Sequence, residues 1–185
     1  MYMFLTTRKV PLIAVKCEAL IRNLPLDYPK LIAINSVHSK LMAGYYGEKS
    51  LDYHLGALNQ EKFDIYPGLR LSIRSQYFQI DALVISTHYL LIIEVKNLKG
   101  ELEFDSAKGQ LIQKIDDKIN VYDDPFAQVQ KQKIHLLQWL EENKFPPIQV
   151  ETLVVLSNNN ALIKKVTGTS VNHWKLSRCV NYLLP

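Results

Sequence analysis

The sequence predicts an α/β domain with a mixed central sheet flanked by helices, and three observations carry that prediction. Hydrophobic residues recur at near-helical spacing early in the chain, switch to a period of two from Phe63, and return to helical spacing after Asp124. The segment QIDALVISTHYLLIIEVKN, residues 79–97, reads as a hairpin with one wholly apolar face that another layer must cover. The chain has 185 residues, 48% hydrophobic and 22% charged. A chain of that length buries roughly 70% of its unfolded surface and needs no disulfide or structural metal to stay folded.

The elements follow in order. Pro11 suits a first helical turn, and Leu12, Val15, Ala19 and Leu20 recur at near-helical spacing until Asn23 and Pro25. A second helix is expected from Asn35 or Ser36 through GYYGEKSLDYHLGAL, despite Gly44 and Gly47. One face of it collects Leu41, Gly44, Tyr45, Glu48, Leu51, Leu55 and Leu58, which sets Glu48 within a core-directed surface. FDIY, a Pro67-Gly68 turn of type II and LRLSIR then read as antiparallel strands. The central hairpin turns between Thr87 and His88, GELEFD and GQLIQKI add strands, and Asp124 with Pro125 opens a helix through Glu142. IQVETLVVLS is a buried strand, followed by a short strand near Leu162 to Val166 and a terminal helix around Trp174 to Leu183.

Charge and cysteine usage narrow the function classes. The net charge is +4, distributed as +4 over residues 1–47, −4 over 48–126 and +4 over 127–185. An acidic centre between basic flanks suits a cation-binding carboxylate site framed by surfaces that attract a polyanion. Cys17 and Cys179 form no CxxC pair, and the five histidines make no HxxxH or HExxH spacing, so a disulfide framework and zinc hydrolysis are not indicated. No apolar run approaches the roughly 20 residues of a membrane span, and MYMFLTTRKV lacks the order of a signal peptide. A cytoplasmic protein without a membrane partner is the expectation.

The chemistry concentrates at one end of the hairpin. With the turn at Thr87 and His88, Ile85 faces Leu90, Leu83 faces Ile92 and Asp81 faces Glu94; Lys96 shares the face of Glu94, with Gln79 opposite it. Ile80, Ala82, Val84, Leu91, Ile93 and Val95 form the apolar face. Two opposed carboxylates under partial burial need a compensating cation. Lys96 pairs with one of them, whereas both offer the hard oxygens that Mg²⁺ prefers, with positions left for water and phosphate. A metal-polarised phosphodiester attacked by a water that Lys96 orients is the chemistry of a nuclease.

Asp81 followed by Glu94-Val95-Lys96 resembles the D…ExK core of the PD-(D/E)xK nuclease superfamily, with Ile80 where that superfamily opens on Pro. GYYGEKSLDYHL, the hairpin through Gly100 and DPFAQ together closely resemble the nuclease-related domain, NERD, over roughly residues 44 to 160. The resemblance implies a restriction-endonuclease-like architecture, with 1–43 a helical leader packed on the same domain and 44–185 the nuclease-like domain. It implies that Asp81 and Glu94 ligate Mg²⁺ or Mn²⁺, that Glu48 helps build the metal site, and that Lys96 activates or positions the nucleophile. Gln128 would contact metal-bound water or phosphate. DNA is the implied substrate and RNA the alternative; the oligomeric state is open, a dimer included.

Plainer readings stand beside these. Asp81, Glu94 and Lys96 can form a satisfied salt-bridge cluster, Glu48 an ion pair with a nearby Lys or Arg, and Gln128 a solvated or capping contact. His135 and Trp139 share a stripe with Gln128 and Gln132 but suit helix packing better than base stacking. In that helix, Phe126, Val129, Leu136, Leu137 and Leu140 form the expected core stripe. Arg70, Arg74, Lys99, Lys131 and Lys133 either track a phosphate backbone or only solubilise the surface. Two other function classes remain: a noncatalytic nucleic-acid-binding module that keeps the fold, and a structural partner-binding domain whose carboxylates are merely paired.

Overall fold

The computed structural model describes residues 7–59 and 61–167. Within them lie three helices, α1 (Leu12–Asn23), α2 (Leu31–Leu55) and α3 (Pro125–Glu142). Eight strands accompany them: β1 (Asp64–Ile73), β2 (Gln76–Ile85), β3 (Tyr89–Lys96), β4 (Gly100–Asp105), β5 (Gln110–Ile115), β6 (Lys118–Asp123), β7 (Gln149–Leu156) and β8 (Ala161–Thr167). The architecture is mixed α/β as expected, but the strands divide between two four-stranded sheets, ordered β1-β2-β3-β7 and β6-β5-β4-β8. Each is antiparallel except for its last pair, β3 with β7 and β4 with β8, which run parallel. The expected terminal helix at Trp174 to Leu183, and Cys179, lie outside the described residues. Among those described, no helix is long and apolar enough to cross a membrane.

The first sheet is covered on both faces. Leu51, Leu55 and Leu58, on α2 and just beyond it, pack with Ala82, Val84 and Ile93; Val129 and Leu136 of α3 pack on the other side with Leu83, Ile92 and Val154. Double burial explains why β3 is apolar at nearly every position rather than alternating. The second sheet has one smaller core, built from Leu102, Phe104, Leu111, Leu156 and Ala161, and β6 is exposed throughout.

The β2–β3 register is the expected one, with Ile85 opposite Leu90, Leu83 opposite Ile92 and Ala82 opposite Ile93. The Pro67-Gly68 turn is absent. β1 continues through it in unbroken register, Pro67 opposite Ala82 and Leu69 opposite Ile80, and the chain reverses at Arg74 and Ser75, both with positive φ (44° and 71°). Gly68 instead sits inside the strand at φ +62°, level with Asp81, and there both strands exchange faces. Before this rung Ile65 and Ala82 belong to the α2 side; beyond it Leu69 and Ile80 belong to the α3 side. The expectation that Ile80 shares the face of Ala82 fails for that reason, since the left-handed glycine breaks the alternation.

Other departures have similarly local causes. α1 buries Ala14 and Cys17, whereas Leu12, Val15 and Leu20 of the expected stripe are exposed: among the described residues its main partner is α2, and the face turned toward that helix carries the small residues. α2 starts at Leu31 rather than Asn35, whose side chain donates back to the Leu31 carbonyl instead of capping. Gly47 replaces Gly44 on its buried face: a Cβ there would lie 2.5 Å from Asn97 Cβ and 2.8 Å from Ser157 Oγ. Only glycine lets α2 approach the ends of β3 and β7 this closely. In α3, Asp124 caps by accepting from the Phe126 amide at 2.9 Å, while Leu137 is exposed and leaves the expected core stripe.

Candidate active site

β3 carries Glu94 and Lys96 to its C-terminal end in the double-covered sheet, and three other elements close on them. The β2–β3 ladder ends at Ala82 and Ile93, one step before the expected Asp81–Glu94 pair. There the Asp81 side chain takes over the main chain's role: its Oδ2 accepts the Val95 N–H at 2.9 Å. Gln79, expected opposite Lys96, pairs with Arg70 of β1 instead. Glu94 is 2% exposed, and its two oxygens accept from different donors, Oε1 from Lys96 Nζ at 2.7 Å and Oε2 from Gln132 Nε2 at 2.8 Å. Lys96 Nζ also donates to Gln128 Oε1 at 2.9 Å. Gln128 and Gln132 lie one turn apart on α3, so a single helix face steers both groups.

The α2 side supplies Glu48 and, one turn on, Asp52. Both are held by Arg8 from the segment before α1: Nη1 donates to Glu48 Oε2, and Nε and Nη2 grip Asp52 at 2.9 Å each. Nη2 reaches further, to the Asp81 carbonyl oxygen at 2.9 Å. For Glu48 the ion pair with a basic residue near the N-terminus is therefore what the structure contains.

The charges do not balance. Among the described residues, Glu48, Asp52, Asp81 and Glu94 face only Arg8 and Lys96, leaving two negative charges when all are ionised. The Asp81 carboxyl is pushed up to about 7, first by burial and then by Glu94 and Glu48, against the opposing pull of the Val95 amide and Lys96. Glu48 is raised too, by burial above all, with Arg8 opposing and Glu94 and Asp52 adding to the rise. Burial works against the charge of Arg8, but Asp52, Glu48 and Asp81 outweigh it and hold its pKa above the ordinary value. Asp81 Oδ1 has no hydrogen-bond partner among the described residues, and Gln132 Oε1 is buried without one. Among the described residues, no three Asp, Glu, His or Cys side chains are grouped to hold an ion together.

The structure thus brings together Glu48, Asp81, Glu94, Lys96 and Gln128, with Gln128 on Lys96 itself. The basic residues expected to meet a phosphate backbone are dispersed. Arg70 covers the Tyr77 ring at 4.8 Å, and Arg74 pairs with Glu142 at 3.0 Å. Glu142 closes α3, about 21 Å along the axis from Gln128 at 1.5 Å per residue. Lys99 and Lys131 are exposed. His135 packs edge-on to Phe78 and Trp139 stacks on Phe145, so both serve packing. Sequence reasoning missed Asp52 and Arg8, and placed Gln132 on the stripe of Gln128 without assigning it a role. Asp52 and Gln132 carry a signal, each standing four residues after a chosen residue on the same helical face; Arg8 carries none, lying 73 residues from Asp81 in an irregular segment.

The family model described as NERD, nuclease-related domain, matches residues 43–157, more than half of the chain. No curated protein and no solved structure matches. The matched span runs from the middle of α2 to the end of β7 and contains Glu48, Asp81, Glu94, Lys96 and Gln128, so this chain belongs to the nuclease-related domain family, within the PD-(D/E)xK-like nuclease superfamily.

Proposed function

We propose that the protein is a Mg²⁺- or Mn²⁺-dependent phosphodiesterase acting on DNA, with RNA as the alternative substrate. The observation that carries this reading is the buried, unbalanced carboxylate cluster, in which Asp81 is forced up to about 7 beside a lysine. A cluster two charges short of neutrality destabilises the fold, and one divalent ion restores the balance. The donors fit: Mg²⁺ takes one or two carboxylates and fills its remaining positions with water and phosphate oxygens. Asp81 Oδ1 is available, and each Glu94 oxygen keeps a lone pair beyond its present hydrogen bond. Glu48 stands near enough for Glu94 to raise its pKa. When bound, the ion supplies Lewis-acid polarisation of the scissile phosphate.

The chain's own groups orient the reaction. Lys96 Nζ spends two of its three N–H bonds on Glu94 and Gln128, which aims the third at a water or a phosphate oxygen. Gln132 holds Glu94 from behind, and the Val95 amide holds Asp81, so the acidic groups need little reordering. Arg70, Arg74, Lys99 and Lys131 supply weak, salt-sensitive attraction for the polyanion rather than a built groove.

The test is incubation of supercoiled plasmid and linear DNA with Mg²⁺ or Mn²⁺, comparing the wild type with Asp81→Ala and Lys96→Ala. Both folded variants lose cutting. Equal cutting by a pure Asp81→Ala sample would refute the assignment, and DNA binding that survives EDTA without any cutting would favour a noncatalytic binding module.

A further inference from the structure

Arg8 lies in the irregular segment before α1, outside the residues that the family model matches. Its side chain is 6% exposed, and its guanidinium joins three parts of the site: Glu48, Asp52 and the Asp81 main chain. Glu48 and Asp52 stand one turn apart on α2 and repel each other without a cation between them. The grip on Asp52 is bidentate, a geometry that fixes a guanidinium in orientation as well as position. Arg8 makes no hydrogen bond to the carboxylate oxygens of Asp81 or Glu94, and its one hydrogen bond to β2 goes to a carbonyl. A cation that plugged the ion's position would bind those oxygens. Arg8 instead braces the frame around them.

We infer that Arg8 is a positioning residue of the phosphodiesterase site: it ties Glu48 on α2 to the strand that bears Asp81 and so sets the spacing of the acidic groups that receive the ion. Asp52 acts through Arg8, as its anchor. This inference rests on the metal-dependent reading above and adds to it a residue from outside the matched span.

The test measures Mn²⁺ binding by calorimetry, without nucleic acid, on the full chain. The samples are the wild type, Arg8→Ala, Arg8→Lys, Asp52→Asn and the double variant Arg8→Ala/Asp52→Asn, with melting temperatures taken in EDTA. Loss of an outer partner of a metal ligand weakens metal affinity about 10- to 100-fold, and that is the effect expected for Arg8→Ala. Asp52→Asn weakens binding in the same direction. The double variant is no worse than Arg8→Ala alone, because both remove one bridge. Arg8→Lys recovers only part of the affinity, since an ammonium keeps the charge and loses the fork. If Arg8→Ala fails to fold, Arg8→Lys and Asp52→Asn samples that melt with the wild type decide the matter. Unchanged affinity in these variants overturns the inference, and tighter affinity overturns it by showing that Arg8 competes with the ion. A wild type that takes up no Mn²⁺ overturns the metal-dependent reading as well, whereas wild-type binding with indifferent variants removes Arg8 alone.

Discussion

Both sheets follow one plan, three strands joined antiparallel and a fourth added in parallel, yet they keep their charges in opposite ways. In the β6-β5-β4-β8 sheet, Lys164 meets Glu101 at 3.1 Å and Lys165 meets Glu103 at 3.5 Å, all half in solvent and paired one to one. In the β1-β2-β3-β7 sheet, Glu94 is buried against α3, and among the described residues the acids around it outnumber the bases. Exposed pairs contribute about 0–1 kcal/mol and can be lost without consequence. Buried, unequal charges weaken the fold, so their presence at one end of one sheet points to a demand other than stability.

The largest effect that would sharpen this contrast is on catalysis. Lys96→Ala should lower DNA cutting about 10²- to 10³-fold, as loss of a positioned charge does elsewhere. Asp81→Asn should abolish cutting and yet raise the melting temperature in EDTA, because the amide still accepts the Val95 N–H while the repulsion from Glu94 and Glu48 disappears. A lower melting temperature for Asp81→Asn would break the claim that the cluster strains the fold.

The two tight glycines separate the sheets next. Gly47→Ala forces α2 away from Asn97 and Ser157 and should cost about 1–3 kcal/mol, with Glu48 displaced and cutting reduced. Gly100→Ala, at φ +83° with a Cβ 2.5 Å from the Lys114 carbonyl, should cost about as much and leave cutting by the folded protein unchanged. Denaturant unfolding alongside the plasmid assay checks both.

A pH effect of intermediate size follows from Asp81. Its folded pKa, about 7, lies above the ordinary 3.8, so between these values the native state holds a proton that the unfolded chain has released. Stability from this group is complete below about pH 4 and is lost as pH rises through about 7. Metal-free protein should therefore melt lower at pH 8 than at pH 6, a difference that Asp81→Asn should shrink. The smallest effect belongs to the second sheet, where Lys164→Ala should shift stability by no more than ~0.5 kcal/mol.

Much of this was legible in the sequence, and the limits have physical causes. The β2–β3 register could be read because apolar runs on either side of Thr87 and His88 leave one pairing that buries both. Asp124-Pro125 announces α3 because cap and fixed φ are local requirements. The division into two sheets could not be read, since GELEFD and GQLIQKI alternate in the same way whichever sheet they join. The face exchange at Gly68 was hidden because a Pro-Gly pair signals a turn far more often than a left-handed rung inside a strand. The orientation of α1 was misjudged because its larger side chains face outward. Among the site residues, spacing placed Asp81, Glu94 and Lys96 together on the hairpin, and the resemblance, supported by helical spacing, added Glu48 on α2 and Gln128 on α3, whereas the place of Arg8 depends on a tertiary contact that no local pattern encodes.

One small exchange has a practical use. At the rung where the ladder stops, the Val95 N–H is bound by the Asp81 carboxylate rather than by a backbone carbonyl. In a ¹⁵N-labelled sample that amide resonance will shift when Asp81 takes up a proton and again when an ion arrives, a nuclear-magnetic gauge of the centre that works before any substrate is known.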